Sequence, residues 1–127
     1  MREYRKRTDV LTHKDLDIWK IGIDLVEAIY EATKNFPKEE MYGLASQMRR
    51  APVSIPSNIA EGAARNSKKE FIQYLYIALG SLSELETQII ISAKLKYPQD
   101  NAITDTMEKL RRKLLNFIKH LKKTTNV

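Results

Sequence analysis

Seven lysines and arginines and no acid stand between Lys109 and Val127. At about 100° per helical residue, Lys109, Arg112, Lys113, Asn116, His120 and Lys123 fall on one face, with Arg111, Lys119 and Lys122 beside them. Cations at that pitch can follow a phosphate backbone, since each neutralised phosphate releases counterions and adds affinity independent of sequence. The bland alternative is a solvated face whose lysines complement a helix C-terminus. Seven cations without one acid exceed what that alternative requires. At the other end of the chain, Arg2, Arg5, Lys6 and Arg7 flank Tyr4. Residues 1–11 are expected to form a flexible basic arm, with Arg5 and Arg7 extending the patch or belonging only to a tail.

A second polar group lies inside QMRRAPVSIPSNIAEGAAR, residues 47–65. Gln47, Arg50, Ser54, Asn58, Glu61 and Arg65 share a strip about 80° wide, next to an apolar stripe of Leu44, Met48, Ala51, Ile55, Ile59 and Gly62. These side chains could meet a phosphate or a base edge, with Glu61 orienting the arginines. The structural reading is favoured, because Pro52 and Pro56 each remove a backbone donor and leave the carbonyls of Met48 and Pro52 in need of partners. Ser54, Ser57 and Asn58 are residue types that repair such a kink, and Asn58 with Glu61 has capping-box spacing. Arg50 or Arg65 would then pair with Glu61, Glu84 or Glu86. Gly62 and Gly80 would allow close approach between helices.

Catalytic and metal chemistry find little footing. Neither His13 nor His120 follows an acid by three residues, as a di-iron bundle site requires, so no metal and no cofactor are expected. No zinc-protease, P-loop or dinucleotide motif occurs, and a non-enzymatic role is expected. Tyr74, Tyr76 and Tyr97 could stack on bases but more often finish a core or an interface.

The elements that must position these residues are helices. With 127 residues, 43% of them apolar, and no cysteine, the chain suits one domain, 1–127, with a core that needs no disulfide or thiolate metal site. Residues 1–8 carry a net charge of +3 and residues 109–127 of +7, against +6 for the whole, so the positive charge belongs to the ends of a mildly acidic scaffold. No apolar run is long enough for a signal peptide or membrane span, and a cytoplasmic location is expected. Thr12 and Asp15 resemble a capping box ahead of a first helix whose stripe is Leu16, Trp19, Ile23, Val26 and Tyr30, widened by Ile18, Leu25 and Ile29. Ser67 and Glu70 open a third helix with the seam Phe71, Leu75, Ala78, Leu82, Leu85 and Ile89. A fourth, opening near Asp100 or Asn101, has the seam Ile103, Met107, Leu110, Leu114, Phe117 and Leu121 and leaves 124–127 as a tail. Short links around Pro37, Asn66 and Pro98 predict an all-α, antiparallel, up-down-up-down four-helix bundle with a proline-kinked second helix.

The segments FPKEE, LASQMRRAPVSIPSNIAEGAARNSKKEF and YIALGSLSELETQIII closely resemble the small four-helix-bundle proteins encoded in intervening sequences of bacterial 23S ribosomal RNA genes. The resemblance runs from about Leu16 into the fourth helix. It implies a four-helix fold assembled as a ring-shaped homopentamer, and kinship with accessory proteins of diversity-generating retroelements, whose basic rings bind RNA and a reverse transcriptase. The expected function is therefore a homo-oligomer that binds structured RNA or a ribonucleoprotein through its basic surface. The rival is a protein-interaction scaffold for an acidic partner such as a reverse transcriptase. Val53, Pro56, Ala60 and Ala64, off the main core stripe, are expected to lie in a contact between subunits.

Overall fold

The structure, a computed structural model, describes residues 12–124. The arm expected at 1–11, including Arg5 and Arg7, and residues 125–127 lie outside them. Four helices, α1 (Asp17–Thr33), α2 (Leu44–Ala63), α3 (Lys68–Lys94) and α4 (Asn101–Thr124), are joined by short links, with 3-10 turns at His13–Asp15 and Lys38–Glu40. No strand occurs among the described residues. Each helix packs on its neighbours in the chain, and α4 closes the bundle against α1, giving the expected up-down-up-down arrangement. Thr124, expected to open a tail, lies within α4.

The buried stripes meet at one core. In α4, Ile103, Met107, Leu110, Leu114, Ile118 and Leu121 are buried. Ile118 thus takes the seam position expected for Phe117, which lies half-buried at its edge. In α3 the seam runs Leu75, Ala78, Leu82 and Leu85 and then turns polar at Gln88 and Ser92, while Phe71 and Ile89 pack from the side. α1 is rotated from the expected stripe. Ile18, Gly22, Leu25, Ile29 and Thr33 face inward, and Ile23 and Tyr30 are exposed.

The ends of the helices follow local chemistry. Thr12 and Asp15 do form a reciprocal capping box, but around the 3-10 turn; α1 begins only at Asp17. Ser67 Oγ accepts the Glu70 N–H at 3.0 Å, and Asp100 Oδ1 accepts the Ala102 N–H at 3.0 Å. The first N–H of α2 donates to Glu40 Oε1 at 3.1 Å, and the Tyr97 hydroxyl donates to Glu40 Oε2 at 2.6 Å. The Tyr97 bond first, then the Leu44 N–H, hold the Glu40 carboxyl below its ordinary range. α3 ends in a Schellman arrangement, with Tyr97 N–H donating to Ser92 O and Lys96 N–H to Ala93 O, both at 3.0 Å. The left-handed position is held by Lys96, at φ 67°, where glycine is usual.

α2 runs as one helix from Leu44 to Ala63 with Pro52 and Pro56 inside it. Pro52 and Pro56 are buried, and Pro56 abuts Gly22 of α1, where an added Cβ would lie 3.3 Å from its ring. Gly62 is the point of closest approach to α3: a Cβ there would stand 2.7 Å from Tyr74 Cβ and 2.9 Å from the Phe71 ring. Gly80, expected to act likewise, meets nothing within 4 Å. Gly62→Ala is therefore predicted to destabilise the fold by about 1–3 kcal/mol through overpacking. Gly80→Ala should be neutral or stabilise it by up to about 1 kcal/mol through helix propensity. Urea denaturation of both variants checks this, and equal effects would contradict the assigned helix approach.

Candidate nucleic-acid interface

The rotation of α4 is set by its six buried residues, and it sends the cations to three different places. On the α3 side, Arg111 reaches Glu86 Oε1 at 3.2 Å and Ser83 Oγ at 3.4 Å. Lys122 donates to the Tyr76 hydroxyl at 2.8 Å, with its ammonium 5.3 Å from that ring's centre. On the α1 side, Lys113 stands 3.5 Å from Asp17 Oδ2. The outer ridge is left to Lys109, Arg112, Asn116, Lys119, His120 and Lys123, all exposed. Lys109, Arg112, Lys119 and Lys123 make no ion pair with another described residue. His120 stacks toward Phe117, with ring centroids 6.4 Å apart. The expected face thus holds together, except that Lys113 is drawn to its α1 edge.

The helix-two strip is engaged within the chain. Ser54 Oγ donates to Ala51 O at 2.9 Å and shares a hydrogen bond with Ser81 Oγ of α3. Asn58 Nδ2 donates to Ser54 O at 2.7 Å. The acceptors are not the carbonyls of Met48 and Pro52 that the prolines deprive, so the repair expected of these side chains is misaddressed. Asn58 sits inside α2, not at a cap, which removes the capping box with Glu61. Arg65 pairs with Glu61 at 2.8 Å, as expected, and also donates to the Tyr74 hydroxyl at 2.6 Å. Arg50 instead bonds Gln47 at 3.3 Å, while Glu86 is taken by Arg111 and Glu84 by Gln88.

Arg49, which the spacing did not single out, supplies the polar tie between α1 and α2. Its Nε donates to Thr33 Oγ1 at 2.8 Å, and its guanidinium lies 5.0 Å from the centre of the Tyr30 ring. Arg49 lies about 100° around α2 from Arg50, off the strip that spacing picks out, so that strip gave no signal for it. The three tyrosines considered for base stacking are also occupied: Tyr74 by Arg65, Tyr76 by Lys122, and Tyr97 by Glu40 and the Phe36 ring.

The family described as 23S rRNA-intervening sequence protein matches this chain over residues 14–120. The chain belongs to that family. Among solved structures it is similar to a protein of unknown function from the S23 ribosomal protein family of Bacteroides thetaiotaomicron VPI-5482. The two share 22% identity and a TM-score of 0.71, covering 80% of this chain and 95% of the other. At that identity the likeness shows the fold. No curated protein matches the chain. No helix among the described residues is long and apolar enough to cross a membrane.

Because Asn58 adds one partly buried hydrogen bond in a helix interior, Asn58→Ala removes about 1 kcal/mol of hydrogen bonding but regains about half of that in helix propensity. The expected net destabilisation is below about 1 kcal/mol by chemical denaturation, with any affinity for RNA unchanged. Abolished binding at unchanged stability would make the strip a ligand site.

Proposed function

We propose that this family member is a non-enzymatic, homo-oligomeric bundle that binds structured RNA, or a ribonucleoprotein, through the outer ridge of α4. The observation that carries the reading is the ridge itself: Lys109, Arg112, Lys119 and Lys123 project from one helix and are not consumed by ion pairs with described residues. Cations left unpaired on one face keep their full charge for phosphates. Membership of a family named for a 23S rRNA intervening sequence is compatible with an RNA partner, and the cytoplasm is the location such a partner implies.

Assembly, pentameric by the resemblance, would repeat the ridge, so that modest contacts act together on one ligand. Support for it comes from the opposite side of the bundle, where Val53 is 39% exposed and Tyr42 96%. Ala64 is exposed there and Ala60 half-buried, as a subunit contact needs, whereas Pro56 is already buried against Gly22. No scaffold for an acidic protein is needed to account for the ridge, but such a partner would also respond to salt, and the test has to include both kinds.

The variant with glutamine at Lys109, Arg112, Lys119 and Lys123 should keep its helix content and its mass by light scattering, a multiple of 14.7 kDa at micromolar concentration. Its affinity for RNA should fall, and the slope of log affinity against log salt should become shallower by about 0.7–0.9 for each phosphate that is no longer neutralised. Wild-type affinity with an unchanged slope would reject the ridge as an RNA surface. Weakened binding of an acidic protein alone would favour the scaffold, and a monomer in solution would reject the assembly.

A further inference from the structure

Between the first turn of α1 and the C-terminal half of α4 lies a shallow, open cleft of about 360 Å³. Leu16, Ile18 and Phe117 form its apolar wall, and Asp17, Lys113, Asn116 and His120 its polar rim. The rim is continuous with the cationic ridge, yet it carries a carboxylate. For a surface that only neutralises phosphates, Asp17 is a defect, since it repels the ligand and draws Lys113 away. The Asp17 side chain is 71% exposed, and its contact with Lys113, at 3.5 Å, is at the outer limit of a hydrogen bond. Its two oxygens therefore retain acceptor capacity toward the cleft.

A carboxylate beside a phenyl face, among amide, imidazole and ammonium groups, suits a flat ring that offers two adjacent donors and one nearby acceptor. Guanine has this edge: N1–H and the N2 amine side by side, and O6 next to them. We propose that the cleft holds one unpaired guanine of the bound RNA, with Asp17 accepting from N1–H and the N2 amine. Lys113 or Asn116 donates to O6, and the base packs on the apolar wall of Leu16, Ile18 and Phe117, with His120 at the rim. In a duplex that edge is occupied by cytosine, so the guanine must come from a loop, bulge or end. This inference rests on the RNA-binding reading and adds base preference to it.

The test uses the full-length protein and a set of RNA hairpins identical but for one bulged nucleotide: guanine, inosine, adenine, uracil or none. At fixed salt, guanine should bind about tenfold more tightly than adenine or uracil. Inosine, which lacks the N2 amine, should fall between them. Asp17→Asn should abolish the preference without strengthening the guanine complex. The inosine comparison needs no variant, and Asn116→Ala, at an exposed position, gives a second reading of the same rim. If all hairpins bind the wild type equally and Asp17→Asn strengthens every one, the carboxylate is only a misplaced charge and the guanine site is overturned, while a salt-dependent ridge still stands. If no hairpin binds at all, both readings fall.

Discussion

Burial of the α4 seam is the constraint on which the arrangement of charge depends. Ile103, Met107, Leu110, Leu114, Ile118 and Leu121 recur every three or four residues and are removed from water. Once that face is fixed, the helix cannot rotate without exposing it. Lys109, Arg112, Lys119 and Lys123 must then point outward, Arg111 and Lys122 toward α3, and Lys113 toward α1. Where each cation of the helix ends up follows from these six apolar residues.

The second helix answers a different constraint. Its prolines cost backbone donors but give small, rigid, apolar surface, and both are buried. Pro56 meets Gly22, and further along α2 Gly62 lets α3 approach to contact. Serine hydroxyls on the facing sides of α2 and α3 bond each other at that interface. The conspicuous polar sequence of α2 is thus mainly a packing solution, and its side chains satisfy one another and the helix backbone. Lys109, Arg112, Lys119 and Lys123, which make no ion pair with a described residue, lie on the less conspicuous α4.

Much of this was legible in the sequence because period and charge report directly on faces. Most positions of the α3 and α4 seams and of the α2 stripe needed only spacing. The failures have physical causes. α1 carries two interleaved apolar sets, and glycine scores as neither polar nor apolar, so Gly22, which marks the true inward face, added no weight to it. Ile118 and Phe117 both fit the α4 stripe, and only packing against Phe71, 5.6 Å away ring to ring, shows that the phenyl belongs at the edge. Lys96 ends α3 in a conformation usually signalled by glycine. Glu40 caps α2 from outside the helix and is itself held by Tyr97, 57 residues away, a pairing that no local pattern announces. The α4 face was legible, but the drawing of Lys113 to Asp17, 96 residues apart, was not.

The central claim is that RNA meets α4 and not the polar strip of α2. Ultraviolet crosslinking of bound RNA, followed by mass mapping of the modified peptides, reads this without altering any residue. The account predicts adducts within residues 109–123, with the region around Phe117 among them, and none within 47–65. Adducts concentrated in 47–65, with α4 unmodified, would contradict it.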